Sequence, residues 1–384
     1  MKNIYKFFCF FILLLITLTG CIQNQNQPNI VWLVVEDQSQ HFFSYYGDQS
    51  VNLPNINILL DNGVVYDQMN SPYPVCAPAR SGIITGMYPN SIGTGNMRAY
   101  AGSRSLRPEK ESSLEIPYYS SKLAETIKPF TQILRENGYY CSNNSKRDYN
   151  FRLTDEAWDD SSNNASWENR EGGKPFFSVF NFNVTHESEI WKRDKQQIAV
   201  KPNTLTVPPV FPDDSISRHA LAVNYTNLVE MDRQVGLVVK KLKDQGLYDN
   251  TYIFFYSDHG GPFPRYKRAI YETGSKVPLI IKFPKNVRVK EKRNTDMLNF
   301  IDFAPTILSI AGIDIPKVYQ GIAFLGNQKS NIKRKYLFTA SDRFDEHPDR
   351  IRAVKSKRFK YIRNYNINKP HALNIAYRNQ MTLM

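Results

Sequence analysis

Apolar runs of strand length alternate along the chain with segments of helical spacing. The clearest runs are NIVWLVV (29–35), KPFFSVFNFNV (174–184) and TYIFFYS (251–257). Runs that are apolar at nearly every position are typical of strands buried on both faces of a parallel sheet. Helical patterns lie between them, and the longest covers 215–246. The alternation predicts an α/β fold with a large mixed, mostly parallel sheet sandwiched by helices.

Shorter patterns extend this prediction. Further strands are predicted at VVYDQM (64–69), YYCSNN (139–144) and KVPLIIKFP (276–284), and helices at 54–62, 120–138 and 302–313. A proline lies in the first turn of the helix at 54–62. The helix at 120–138 is expected to break near Pro129 and to end at Gly138.

The pattern changes after about residue 331. The segments RKYLFTAS (334–341) and FKYIRNY (359–365) predict strands of a second, smaller element. We therefore expect a main domain at 29–330 and the start of a C-terminal subdomain at 331–384. That subdomain is expected to be incomplete at Met384, because no finishing segment follows.

The first twenty residues have the composition of a signal peptide. Two lysines precede an apolar run at 7–18, which is short for a membrane span. The run ends in Leu18-Thr19-Gly20-Cys21, which resembles the lipobox of bacterial lipoproteins. The resemblance implies cleavage before Cys21, a lipid on its thiol and a tether at 21–28. We expect an exported protein, lipid-anchored in the periplasm or at the outer membrane. The alternative is a plain signal peptide with an accidental cysteine.

Cysteine usage excludes a disulfide framework. The four cysteines are Cys9, Cys21, Cys76 and Cys141. Cys9 leaves with the signal peptide and Cys21 carries the lipid, so only Cys76 and Cys141 remain. They form either one bridge or two buried thiols. An unpaired thiol is unusual in an oxidising compartment, so Cys76 needs an explanation.

The formal net charge of +13 indicates attraction to polyanions. For an exported protein, a sulfated or carboxylated polysaccharide is a better partner than nucleic acid. The alternative is a basic surface that is merely solvated.

Two predicted strands each end in a pair of residues that can bind a metal ion. Glu36 and Asp37 follow the strand at 29–35, and Asp258 and His259 follow the strand at 251–257. Ligands bind beyond the carboxyl ends of strands in open α/β sheets. Adjacent carboxylates repel each other unless a cation compensates them, and a hard divalent cation is the usual partner. The alternative for either pair is a set of surface groups with local hydrogen bonds.

Cys76 is predicted to lie at the start of a helix. The helix begins in CAPARSGIITG, and its free amide groups and dipole favour an anion. Arg80, four residues later, faces the same side, and its guanidinium can bind two oxygens of a tetrahedral oxyanion. The segment therefore predicts a sulfate or phosphate site with a reactive side chain beside it.

These residues carry a family resemblance. The segment CAPAR is similar to the C-x-P-x-R signature of the type I sulfatases, within the alkaline-phosphatase-like superfamily. The resemblance implies that Cys76 is oxidised to formylglycine by a formylglycine-generating or sulfatase-maturating enzyme. The resemblance further implies that one hydroxyl of the hydrated aldehyde attacks sulfur and displaces the substrate oxygen or nitrogen. The second hydroxyl then loses its proton, the aldehyde re-forms and sulfate is expelled. A serine would remain as a stable sulfate ester. The main domain is accordingly expected to be the catalytic domain.

The resemblance also implies a calcium site. Glu36 and Asp37 match one metal-binding pair of the family, and Asp258 and His259 match the other, with residue 76 completing the set. The family more often has Asp-Asp and Asp-Asn at these pairs. Imidazole favours softer metals than calcium, so His259 is either a direct ligand or one shell further out.

Further residues match substrate-binding positions of the family. Lys146 resembles a lysine that contacts the sulfate, and His186 resembles a histidine that donates a proton to the leaving atom. Lys267 resembles the cation that binds sulfate opposite the metal. Asp148 stands where many sulfatases have histidine and is expected beside Lys146 on a strand. Each lysine alone could be a solvated surface group, and His186 a packed one.

The wording EDQS, CSNNSKRDYNF, VTHES and DHGGPFPRYK resembles the heparan N-sulfatase branch most closely. It implies removal of sulfate from a sulfated carbohydrate, a glycosaminoglycan or an algal-type glycan, with N-sulfoglucosamine as the more specific expectation. Arg343 and Asp345 are candidate sugar contacts. The alternatives are a phosphodiester or phosphonate hydrolase of the same superfamily, and a catalytically inactive glycan-binding lipoprotein.

Overall fold

The computed structural model describes residues 27–97, 120–344, 347–368, 375 and 377–380. The predicted signal peptide, Cys21 and Asp345 lie outside the described residues. The strands are β1 Asn29–Val35, β2 Gly63–Tyr66, β3 Met69–Asn70, β4 Tyr140–Asn144, β5 Asp160–Ser161, β6 Phe176–Phe182, β7 Thr251–Ser257, β8 Leu279–Lys282, β9 Arg293–Asn294, β10 Leu298–Asn299, β11 Leu337–Ser341, β12 Ile351–Lys355 and β13 Lys360–Asn364. The α-helices are α1 Pro54–Asn57, α2 Cys76–Thr85, α3 Phe130–Glu136, α4 Ser188–Lys192, α5 Ser215–Asp244, α6 Glu272–Ser275 and α7 Phe303–Ala311.

An eight-stranded sheet forms the centre of the molecule, in the order β5-β4-β6-β1-β7-β8-β2-β9. Its strands pair in parallel from β5 to β7 and again between β2 and β9. Strand β8 runs antiparallel to both of its neighbours. The predicted mixed, mostly parallel sheet is confirmed. The carboxyl ends of β4, β6, β1 and β7 therefore meet at one edge of the sheet.

Each face of the sheet is covered by its own apolar core. The side chains of β1 alternate: Ile30, Trp32 and Val34 enter one core, and their neighbours enter the other. Helices α2, α3 and α7 pack on the first face, and the long helix α5 packs on the second. Because both faces are buried, β1 is apolar at every position after Asn29, which is why the run was recognisable in the sequence.

One secondary-structure prediction was wrong and one strand was not predicted. The helix expected at 120–138 is formed only at Phe130–Glu136, directly after the expected break at Pro129. Pro129 is the N-cap with extended backbone (ψ 137°), and its ring disfavours helical geometry at the residue before it, so no helix continues across Pro129. The strand β12 was not predicted. Its charged and apolar residues alternate, and only pairing with β11 and β13 makes the pattern a strand.

The three strands β11–β12–β13 form a separate antiparallel sheet, as expected of a smaller C-terminal element. Two small apolar clusters join this element to the main domain. Phe344 and Ile375 pack with Val75, which precedes Cys76, and Ile351 packs with Ile270. The element therefore reaches the segment around Cys76. The exact boundary at 330/331 stays a prediction.

Cys76 and Cys141 are both free and buried. Cys141 lies on β4 in the first core and donates to the carbonyl of Thr131 across 3.5 Å. Of the two alternatives left open by the sequence, the structure has two buried thiols.

None of the described helices is both long and apolar enough to span a lipid bilayer.

Candidate active site

The two predicted metal-binding pairs lie side by side at the carboxyl edge of the sheet. Strands β1 and β7 are adjacent and parallel, with Val35 opposite Ser257, so the residues that follow each strand meet. Glu36, Asp37 and Asp258 are completely buried. Asp37 has a left-handed backbone (φ 52°), which aspartate tolerates better than most residues. This conformation ends the strand alternation, so the carboxylates of Glu36 and Asp37 both enter one cluster instead of pointing to opposite faces.

His259 points its Nε2 atom into the same cluster. That atom lies 3.0 Å from Asp37 Oδ1 and 3.7 Å from Asp258 Oδ1. The other ring nitrogen, Nδ1, is 2.9 Å from the carbonyl oxygen of Gly260. If Nδ1–H donates to that carbonyl, the neutral ring presents the Nε2 lone pair to the cluster, which is the arrangement of a metal-bound histidine. The geometry therefore makes His259 available as a direct ligand.

The charges of the cluster balance each other in the absence of a metal ion. Burial lowers the pKa of His259, but Asp258, Cys76 and Asp37 raise it well above its usual range. Burial raises the pKa of Glu36. For Asp258, burial is opposed by His259 and Arg80, and the pKa falls to about 2. A divalent cation would take over this compensation from the imidazolium proton.

The donor set fits a divalent cation. Ligand atoms of Asp37, Cys76, Asp258 and His259 all lie within 4.8 Å of one another, and so do those of Glu36, Asp37, Cys76 and His186. Three buried carboxylates supply the oxygen ligands that hard cations require. In this chain Cys76 Sγ occupies the position of the oxygen that formylglycine would present.

Cys76 is the first residue of α2 and is buried beside the metal-binding pairs. Its Sγ lies 3.1 Å from His259 Nε2. Val75 has extended backbone and Cys76 begins the helix, so the free amides of the first turn lie at this residue. The structure thus brings the predicted reactive residue and the predicted metal ligands together.

Arg80 contacts protein groups through all three of its nitrogens. Nε donates to Asp258 Oδ2 (3.1 Å), Nη1 donates to Asn181 Oδ1 (2.8 Å) and Nη2 donates to Glu36 Oε1. Arg80 therefore binds and orients the carboxylates of Glu36 and Asp258. Its predicted contact with a substrate oxyanion stays a prediction. Asn181, on β6, was not identified from the sequence, because an asparagine inside an apolar strand has no distinctive motif.

Lys146 lies at the cluster, but the strand that was expected to place Asp148 beside it is not formed. Lys146 Nζ donates to Glu36 Oε2 and lies 3.8 Å from Asp148 Oδ2. The two residues do not lie on a strand, because β4 ends at Asn144. The loop that follows β4, rather than strand alternation, places Asp148 beside Lys146.

Lys267 and His186 lie next to each other at the carboxylate of Asp37. Lys267 Nζ donates to Asp37 Oδ2 (2.7 Å) and is 3.1 Å from His186 Nε2. His186 Nδ1 lies 3.2 Å from the backbone nitrogen of Ser188 and 3.0 Å from Ser188 Oγ. The ammonium of Lys267 can only donate, so its contact is with the lone pair of Nε2. Burial, followed by the charge of Lys267, lowers the pKa of His186 to about 3. His186 is therefore a neutral ring whose Nε2 atom faces the cluster beside Lys267.

Two further charged residues support Lys267 and were missed by sequence reasoning. Glu187 is almost completely buried, and its carboxylate accepts two hydrogen bonds from Arg268 (2.8 and 2.6 Å). Glu187 Oε1 also lies 3.2 Å from Lys267 Nζ, and the Glu187 N–H donates to Asp37 Oδ2 (2.7 Å). Both residues directly follow a predicted site residue, but nothing in the sequence pairs them.

Arg343 is placed differently from the other predicted residues. Its backbone N–H donates to Asn96 Oδ1 (3.2 Å), and its carbonyl accepts from Met97. These contacts place it beside Asn96 and Met97. Asp345, its predicted companion, lies outside the described residues, so the sugar contacts expected of the two stay predictions.

The arrangement is suited to binding a tetrahedral anion. Buried carboxylates that can hold a cation lie on one side of residue 76, and Arg80, Lys146 and Lys267 surround the cluster. Preorganised positive charge of this kind stabilises negative charge that develops during displacement at sulfur or phosphorus. The neutral ring of His186 lies beside Lys267, where it can pass a proton to a leaving atom.

Comparisons with known proteins agree with this geometry. A family model described as Sulfatase matches residues 28–313, and one described as N-sulphoglucosamine sulphohydrolase, C-terminal, matches residues 262–376. An ulvan-active sulfatase of Formosa agariphila is 41% identical over 93% of this chain and 64% of that protein. The chain thus spans less than two-thirds of the length of this relative.

Two other proteins resemble the chain less closely. Human N-sulphoglucosamine sulphohydrolase is 27% identical over 45% of this chain and 36% of its own length. The solved structure of a 2-O GAG sulfatase superposes with a TM-score of 0.68 at 17% identity, covering 89% of this chain and 84% of that one. At that identity the superposition supports a similar fold and nothing more.

Proposed function

The chain belongs to the sulfatase family, and from that premise we propose that it hydrolyses sulfate from a sulfated carbohydrate, with residue 76 as the nucleophile in its formylglycine form. One observation carries the proposal. Cys76 Sγ, at the start of α2, lies 3.1 Å from His259 Nε2, inside a group of buried carboxylates and cationic side chains. A structural cysteine would not need such surroundings, and the thiol of Cys141 instead lies in the apolar core and contacts the carbonyl of Thr131.

Different residues of the site contribute the nucleophile, the metal ligands and the groups that orient the sulfate. Formylglycine would supply a nucleophilic hydroxyl, and a divalent cation held by Glu36, Asp37, Asp258 and His259 would supply positive charge beside it. Lys146 and Lys267 approach the cluster from two sides and orient the sulfate oxygens.

The support groups keep these side chains in place. Arg80 fixes two of the carboxylates, and Glu187 fixes Lys267. His186 passes a proton through Nε2, the atom that Lys267 Nζ contacts, to the leaving oxygen or nitrogen, where negative charge develops as the bond to sulfur breaks. Because this site is buried, each of these charges acts in a medium of lower dielectric constant than water.

We propose an ulvan-type, O-sulfated algal glycan as the more specific substrate. The relative that supports it is the ulvan-active sulfatase of Formosa agariphila, which aligns with 93% of this chain. N-sulfoglucosamine is the alternative, and the family match at residues 262–376 favours it. The human enzyme with that name aligns with less than half of the chain, so it supports the alternative less strongly.

The test is sulfate release from matched substrates by chain that was co-produced with a sulfatase-maturating enzyme. Ulvan oligosaccharides, N-sulfated and O-sulfated heparin disaccharides, an aryl sulfate and a phosphonate monoester are compared. Peptide mass spectrometry first establishes that residue 76 is an aldehyde. Release only from O-sulfated sugars supports the ulvan-type proposal, and release only from N-sulfated glucosamine replaces it. Turnover of the phosphonate alone, or binding of glycan by mature protein without turnover, overturns the sulfatase proposal.

We propose calcium as the metal ion, because three carboxylates dominate the donor set. Calcium in large excess over its dissociation constant is expected to raise the melting temperature by about 5 °C. The measurement is thermal unfolding of the purified chain with calcium and with a chelator.

Two variants make the calcium test specific. Asp258→Asn should lose the calcium-induced increase, whereas Asp244→Asn, at an exposed aspartate near the end of α5, should keep it. An equal increase in melting temperature in all three proteins would show that calcium does not bind at Asp258.

Export and anchoring stay proposals drawn from residues 1–28. We propose that the chain is exported and lipid-anchored through Cys21, and that its maturating enzyme oxidises Cys76. Fatty-acid labelling of cells that produce the chain or a Cys21→Ala variant tests the anchor, and equal labelling of the two would contradict it.

A further inference from the structure

A small cavity adjoins the candidate active site on the side of Lys267. Its volume is about 80 Å³. It lies between the loop that follows β7 and residues of the C-terminal element. Two of its apolar wall residues, Phe344 and Ile375, also pack against Val75, which precedes Cys76. The cavity therefore lies close to both Lys267 and residue 76.

The lining of this cavity is strongly basic. It includes Arg265, Lys267, Arg268 and Arg378 but a single carboxylate, Asp349. Asp349 Oδ1 already accepts a hydrogen bond from the backbone N–H of Arg350 (2.8 Å). An apolar wall next to several cations gives a site of low dielectric constant in which an anion is strongly attracted.

Glu187 is shared between two of these cations. It accepts two hydrogen bonds from Arg268 and also contacts Lys267. Arg378 lies close to the same group: burial lowers its pKa, the neighbouring Arg268 lowers it further, and Glu187 raises it. Arg268 and Arg378 therefore both line the cavity close to each other, with Glu187 nearby.

The segment that carries Arg378 also contacts the residue that faces the leaving atom. The ring of Tyr377 packs edge-on against His186, with ring centroids 6.4 Å apart, and against Trp191, at 5.7 Å. Tyr377 and Trp191 are both partly exposed. Partly exposed aromatic rings beside His186 provide a wall for the sugar that bears the sulfate, and Arg378 is the next residue beyond that wall.

We propose that Arg268 and Arg378 form a subsite for a second anionic group on the substrate, a carboxylate or another sulfate, close to the sulfate that is removed. This inference rests on the proposed function and makes it more specific. Paired guanidinium groups bind carboxylate and sulfate oxygens through several charge-assisted hydrogen bonds. The subsite would select glycans in which a second acidic group lies near the scissile sulfate.

The test compares native ulvan oligosaccharides with the same oligosaccharides after reduction of their carboxylates to alcohols. For the unaltered chain, the ratio of kcat/KM for native over reduced substrate is expected to be about 10 or more. Arg378→Gln should lower this ratio to near one, mostly through KM, and Arg378→Lys should restore part of it. Arg363→Gln, at an exposed arginine on β13, is the matched control and should leave the ratio unchanged.

A second arm distinguishes carboxylate from sulfate. If the bound group is a sulfate, the ratio of kcat/KM for native over carboxyl-reduced substrate is near one in the unaltered chain. Partial chemical desulfation of the substrate then lowers kcat/KM of the unaltered chain, and Arg378→Gln abolishes this difference. The subsite is overturned if Arg378→Gln changes neither the preference for carboxylated substrate nor the preference for fully sulfated substrate.

Binding separates failure of the subsite from failure of the proposed function. Calorimetric titration of native ulvan oligosaccharides into a Cys76→Ala variant needs no turnover. The dissociation constant is expected to rise about tenfold when Arg378→Gln is added. An unchanged constant overturns the subsite even if sulfate is released. A tenfold rise in a chain that releases no sulfate supports the subsite and contradicts only the hydrolase proposal.

Discussion

Cys76→Ser is expected to reduce steady-state sulfate release by on the order of 10⁴-fold. Formylglycine has two hydroxyl groups when hydrated, whereas serine has one. A serine that attacked sulfur would keep the sulfate as a stable ester, because it has no second hydroxyl whose deprotonation expels it. The measurements are steady-state release of sulfate and the mass of the peptide that contains residue 76.

Cys141→Ser is the matched control for this prediction. The two cysteines are both buried, but Cys141 lies in the apolar core under α3, where its thiol donates to the carbonyl of Thr131. A hydroxyl can make the same hydrogen bond, so Cys141→Ser should retain most of the activity. Continued turnover by Cys76→Ser, or equal losses in both variants, would contradict the role of residue 76.

His186→Ala is expected to reduce kcat by roughly 100- to 1,000-fold on a sugar sulfate. The expected loss on an aryl sulfate is less than about tenfold, because a phenolate leaves without needing a proton. The reason lies in the position of the ring. His186 Nε2 faces the cluster and lies 3.1 Å from Lys267 Nζ, so a proton can pass through this atom to the leaving group.

His219→Ala is the control for His186. His219 is partly buried on α5, and its ring contacts the carbonyl of Asp194 (3.1 Å). It should not affect the ratio of the two activities. If His186→Ala lowered the two activities by equal factors, proton donation to the leaving atom would be excluded, and a general structural role would remain.

Part of the site could be predicted from local sequence because of a property of parallel sheets. Glu36–Asp37 and Asp258–His259 each follow a recognisable strand, and carboxyl ends of adjacent parallel strands meet at one edge. Their proximity therefore required only that β1 and β7 be neighbours in a parallel sheet. The start of α2 at Cys76 was likewise predictable from the pattern of residues 76–85, which the structure has as a helix.

Other elements depended on partners that are distant in the chain. Residues 121–129 have helical composition, yet the helix begins only after Pro129. Strand β12 has a strand pattern only beside β11 and β13. Asn181 becomes a site residue because β6 pairs with β1, which brings it to Arg80.

Short stretches of sequence determined the order of strands and helices, the two acidic strand ends and the reactive residue at a helix start. Periodicity, helix caps and strand ends depend on neighbouring residues, so these features could be recognised locally. Folding decided which distant charges face each other. The pairing of Glu187 with Arg268, the contact of Asp37 with Lys267 and the packing of Tyr377 against His186 each join segments that are distant in the chain. No periodicity encodes such contacts, since each is determined by the shape and charge of segments that are far apart in the chain.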